Sequence, residues 1–126
     1  MDIDFDTLSE NINLSNKNLE VLPDKLMECR DVKILNLSGN RLSSLPEWFY
    51  NFEKLEILDL QKNDLSELSD KLENFAALQT LKLDNNNFGA VPESLTYLEN
   101  LTTLTMSHNN IYVLPNYFEK LKVYKH

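Results

Sequence analysis

Residues able to carry covalent, acid–base or metal chemistry are scarce in this chain of 126 residues, which has one cysteine, Cys29, and two histidines, His108 and His126. Catalysis needs a nucleophile beside a positioned base, paired acids, or metal ligands gathered in one cluster. Cys29 stands where Phe52, Phe75, Leu98 and Leu121 recur at a fixed spacing, so it reads as a buried small hydrophobe rather than a reactive thiol. Being single, it forms no internal disulfide. His108 reads as an exposed polar residue at a strand end, with no second His or Cys at metal-ligand spacing, and His126 is the last residue. Gly39 and Gly89 sit in no phosphate-binding loop. The Asn-x-Ser/Thr triplets at Asn13, Asn36 and Asn100 read as incidental to a chain rich in Asn, Ser and Thr. The expectation is a non-catalytic protein with no metal and no cofactor.

Charge and hydropathy exclude further classes. Twelve Lys and Arg against twenty Asp and Glu leave a net charge of -8, which opposes nucleic-acid binding because that affinity comes from cations neutralising phosphates. Apolar runs are far too short for a membrane span. The first residues carry Asp2, Asp4 and Asp6 where a secretory signal would place basic and then apolar residues. Together with the lone cysteine, this gives a cytoplasmic, non-membrane protein as the expectation.

The elements that organise these residues are repeats. Val32, Leu35, Leu37, Asn40, Leu42, Leu45 and Pro46 recur after 23 residues as Leu55, Leu58, Leu60, Asn63, Leu65, Leu68 and Ser69. Further copies run from Leu78 to Pro92 and from Leu101 to Pro115, and a degraded one runs from Ser9 to Pro23. Two more apolar positions follow the proline in each unit. Of the 35 apolar positions in five units, 34 are apolar, where 42% hydrophobic content would place only about 15 by chance. The predicted organisation is a cap segment at 1–8, repeats at 9–31, 32–54, 55–77, 78–100 and 101–123, and a tail at 124–126.

The pattern L-x-x-L-x-L-x-x-N-x-L, met in the second, third and fourth units with Val32 and Phe88 each standing for a leucine, resembles the leucine-rich repeat family. With its 23-residue period and L-P-x-x-L-x-x-L return, it is similar to the cytoplasmic subclass that includes Ras-pathway scaffolds and plant intracellular relatives. The resemblance implies an α/β repeat solenoid: a parallel concave sheet of about five strands, backed by a convex side of short helical or irregular turns. It also implies a protein partner on the concave face, with a small GTPase or a phosphatase as the partner class.

The residues support such a unit independently. Leu35-Asn36-Leu37 alternates as a short strand with one side chain outward. The Asn at 40, 63, 86 and 109 follows each strand where the chain turns, and its carboxamide can both donate and accept, which predicts a stacked ladder. Spacings of four and then three after Leu45, to Phe49 and Phe52, have a helical or tight-turn period, and Pro46 suits the first turn of such a segment. One unit buries too little to fold alone, so the units must stack and the ends must be covered. Ile3, Phe5 and Leu8 are the candidates for covering the first unit. The thinly covered C-terminal edge predicts a monomer or a weak dimer through that edge.

Function then falls to surface. Ile34, Asn36, Ile57, Asp59, Lys82, Asp84, Thr105 and His108 are the predicted partner-binding residues of the strand face, where a small apolar pair lies among mixed charges. Binding hot spots favour Trp, Tyr and Arg, and none stands on that face. Trp48, Tyr50 and Tyr117 therefore form an alternative outer binding surface, unless Trp48 and Tyr50 fold down over neighbouring units. The leading reading is a scaffold, adaptor or regulator in signal transduction. The other is a substrate-targeting region of a larger or trans-acting enzyme, such as a ubiquitin ligase or kinase system.

Overall fold

The computed structural model describes residues 3–112. Five strands of three residues, β1 (Asn11–Asn13), β2 (Ile34–Asn36), β3 (Ile57–Asp59), β4 (Thr80–Lys82) and β5 (Thr103–Thr105), form one parallel sheet in chain order. Each pairs with the strand 23 residues away, so Ile12, Leu35, Leu58, Leu81 and Leu104 stack as one buried row. The period read from the sequence is thus the register of the sheet.

Each of the first four strands returns through a five-residue 3₁₀ turn: Asp24–Glu28, Glu47–Asn51, Asp70–Asn74 and Glu93–Tyr97. The α component of the expected fold is therefore 3₁₀ throughout the described units, because a 23-residue circuit leaves too few residues for a full α-helix. Pro23, Pro46 and Pro92 occupy the cap position just before these turns, one residue earlier than the first-turn placement the sequence suggested. Their φ near -65° pre-sets the entry. Where proline is missing, Ser69 replaces it as a capping side chain, accepting a hydrogen bond from the Lys71 N–H at 3.1 Å.

The core is one continuous column of Leu, Phe, Val and Ile side chains between sheet and returns. Phe49 anchors its second and third layers, meeting Phe52, Phe75 and Tyr50 edge-on with centroids 5.4 to 6.0 Å apart. At the N-terminal end Ile3 and Phe5 pack against this core. Lys25 fixes the segment, lying 5.0 Å over the Phe5 ring and 2.9 Å from Asp4. Leu8, the third proposed cover, is 77% exposed: the backbone turns at Asp6, whose carboxylate accepts the Leu8 N–H, and this leaves the leucine outside.

The asparagine ladder links each unit to the one before it. Asn86 Nδ2 donates to Leu83 O in its own unit (3.1 Å) and to Leu60 O in the preceding one (2.9 Å), while its Oδ1 accepts from Leu65 N (3.0 Å). Asn40, Asn63 and Asn109 repeat the arrangement. Consequently Leu37, Leu60 and Leu83 each offer one carbonyl to two ladder amides. These turns carry polar backbone that no strand partner reaches, and the ladder satisfies it.

Candidate functional site

The outward residues of the sheet form in-register rows. Ile34, Ile57, Thr80 and Thr103 make one row, and Asn36, Asp59, Lys82 and Thr105 the next. Ile34 is 37% exposed, and Ile57, Asp59, Lys82 and Thr105 are half-buried by their neighbours. The fold therefore brings together the strand residues named for partner binding, but it gives several of them a second task.

Asn13, Asn36 and Asp59 each accept the N–H two residues on, from Ser15, Ser38 and Gln61, at 2.9 to 3.0 Å. These are Asx turns, which end the strand by satisfying a backbone donor that the next turn would strand. Two of the Asn-x-Ser triplets, at Asn13 and Asn36, have this geometry as their structural reason. Gln61 also donates its side-chain amide to both oxygens of Asp59.

Asp84 is a correction. Proposed as a contact residue, it is only 8% exposed. Its Oδ1 accepts from Ser107 N (2.7 Å) and Oγ (2.6 Å), and its Oδ2 from Thr105 Oγ1 (2.6 Å). Burial pushes this carboxyl up, but the hydrogen bonds from Ser107 and Thr105 outweigh it and hold the group below the ordinary carboxylate range. Asp84 clamps β4 to β5, and Thr105 gives its hydroxyl to the same clamp.

His108 is exposed and has a left-handed backbone, φ 55°. So do Asn16, Lys62 and Asn85, with Gly39 at φ 69° in the same column. Sequence reasoning missed this turn, although a column holding Asn, Gly and Asn is its usual signal, since these residues tolerate the left-handed region best. At Gly39 the requirement is also steric: an added Cβ would run into the Asn16 side chain.

On the outer side, Trp48 is half-buried, edge-on to Phe52 at 6.2 Å. Tyr50 is the second correction: it is 3% exposed, stacks 5.6 Å from Phe75, and its hydroxyl accepts the Ser69 N–H at 3.2 Å. Burial raises its phenol pKa. Its position in the 3₁₀ turn points the ring along the stack toward the third unit, so it covers a neighbour and offers no outer surface. Tyr117 lies outside the described residues, as do the return of the fifth unit and the C-terminal edge. Trp48 instead shares a groove with Met27, Arg30, Asn51 and Phe52, of which Met27 is 45% exposed.

Cys29 is fully buried as a free thiol, and burial raises its pKa. A buried protonated thiol is inert as a nucleophile. Among the described residues no three His, Cys, Asp or Glu side chains are grouped to hold a metal, and no helix is long and apolar enough to cross a membrane.

A family model described as "Leucine rich repeat" matches residues 10–65 and 54–111. The fold is similar to that of a leucine-rich repeat protein of Leptospira interrogans, with a TM-score of 0.71 and 27% sequence identity over 93% of this chain. The chain spans 36% of that protein's length. No curated protein sequence matches it.

Proposed function

Because the chain belongs to the leucine-rich repeat family, we propose that it is a non-catalytic interaction module that holds a protein partner against its concave sheet. The observation that carries this reading is the face itself: five strands in register, with Ile34 exposed beside Ile57 among mixed charges. Five strands at about 4.8 Å spacing make a surface about 20 to 25 Å wide, the size of one small domain or a peptide. Scaffolding in cytoplasmic signal transduction is the finer reading, with a small GTPase or phosphatase domain as partner, and it rests on the subclass resemblance. The test is capture from a lysate of the source cells by the chain carrying Asp59→Lys with Lys82→Glu, alongside the unaltered chain and Trp48→Ala. Loss with the strand-face pair alone supports the reading, and loss with Trp48→Ala alone moves the site to the outer groove.

One observation favours a second reading. The array matches a third of a longer leucine-rich repeat protein, which fits a recognition segment that selects substrates for an enzyme supplied by the same longer chain or in trans. Under that reading the captured protein is itself modified by a co-captured ligase or kinase.

A further inference from the structure

The concave face is close to neutral in formal charge, yet its charges are not equally available. Glu10 is paired with Lys33 at 3.5 Å. Asp59 takes three hydrogen bonds from Gln61, and Asp84 takes three from Thr105 and Ser107. Only Glu56, at the margin where the strands begin, is an acid of this face without such a partner among the described residues. The cations differ. Among the described residues neither Lys62 nor Lys82 has an ion pair or a side-chain hydrogen bond.

The two lysines are placed differently. Lys82 is half-buried on β4, beside Asp59 in the sheet register but in no ion pair with it, so its stem is covered while its ammonium is left for another carboxylate. Lys62 sits at φ 56°, in the column where Asn16, Gly39 and Asn85 supply the better-suited residues, and non-glycine strain of this kind concentrates at functional positions. The Ile34 and Ile57 row lies two residues back from the Lys82 row, while Lys62 lies three residues past the Lys82 row, in the turn after β3, about 10 Å from Lys82.

We propose that this face selects a partner segment presenting carboxylates next to an aliphatic or aromatic side chain. The apolar group covers Ile34 and Ile57, and the carboxylates reach Lys82 and Lys62. Two acids about three residues apart in an extended segment, at about 3.3 Å per residue, span that distance. The excess acidity on the other surfaces of a chain of net charge -8 repels the same segment there and favours this face. The inference rests on the concave-face reading and adds the chemistry of the partner to it.

The test is selection of a displayed library of random twelve-residue peptides on three immobilised forms of the whole chain: unaltered, Lys62→Glu with Lys82→Glu, and Ile57→Arg. Circular dichroism checks each form for folding. Enriched peptides should combine Asp or Glu with Ile, Leu, Val or Phe. A synthetic copy of the top peptide should lose more than about tenfold in affinity on the lysine double reversal, which should in turn enrich Lys and Arg. Peptides sensitive to Ile57→Arg but indifferent to the lysine reversal overturn the charge inference and leave the concave site standing. Peptides indifferent to both variants overturn the site as well. Absence of any enriched peptide, or enrichment of basic peptides on the unaltered chain, also counts against the proposal.

Discussion

Replacing Asn86 by alanine tests the ladder, and its cost can be worked from the contacts. The side chain makes three close hydrogen bonds, to Leu60 O, Leu83 O and from Leu65 N. The two carbonyls keep a second ladder amide, from Asn63 and Asn109, so each loses a bond worth about 1 kcal/mol. The Leu65 N–H has no other acceptor among the described residues and becomes a buried orphan, at about 1 to 3 kcal/mol. The sum is about 3 to 5 kcal/mol, a large fraction of the 5 to 15 kcal/mol typical of a folded domain. Asn74 is the internal control. It is an exposed asparagine with no side-chain hydrogen bond among the described residues, and Asn74→Ala should fall within about 0.5 kcal/mol of the parent. Urea unfolding followed by circular dichroism and Trp48 fluorescence measures both, with coincident transitions checking that the short array unfolds as one unit. A loss below about 1 kcal/mol for Asn86→Ala, or equal losses at the two positions, would refute the ladder as the tie between units.

Asp84 carries a pH dependence of definite sign. Its folded pKa is depressed, so its contribution is complete above its unfolded value of about 3.9 and is lost as pH falls through the folded value. The stability gap between the parent and Asp84→Ala should therefore be wide at neutral pH and narrow in acid, which thermal melts across pH 2 to 7 will show. Lys62→Gly should raise the melting temperature, by relieving left-handed strain worth about 1 kcal/mol net, while weakening partner capture. Gly39→Ala should destabilise by about 1 to 3 kcal/mol, because the added methyl meets Asn16 at a positive φ. Tyr50→Phe removes only the acceptor for Ser69 N–H; urea titration should find about 1 kcal/mol lost, and capture should be unchanged.

Much of the fold was readable because a 23-residue spacing of apolar residues admits few stacked arrangements, and the strand register follows from it directly. The ladder was readable for a similar reason, since an asparagine recurs at that turn at 40, 63, 86 and 109 and its short carboxamide both donates and accepts. The site was less so. Asp59 and Asp84 are both outward acids on paper, and only the positions of Gln61, Thr105 and Ser107 reveal that their oxygens are occupied. Tyr50 looked like a surface residue because its column is variable, but the direction of a 3₁₀ side chain depends on which neighbour leaves room, here Phe75. The asparagines divide likewise: Asn40, Asn63, Asn86 and Asn109 bridge units, Asn13 and Asn36 close strands, and Asn16 and Asn85 take left-handed turns. Their abundance on and beside the face thus has a backbone explanation first.

Lysine acetylation footprinting of the chain, free and in complex with its captured partner, asks which surface the partner covers. The concave-face account predicts that Lys62 and Lys82 are protected in the complex while Lys54 and Lys71, beside the returns, label as in the free chain. Protection of Lys54 and Lys71 with Lys62 and Lys82 still reactive would contradict it.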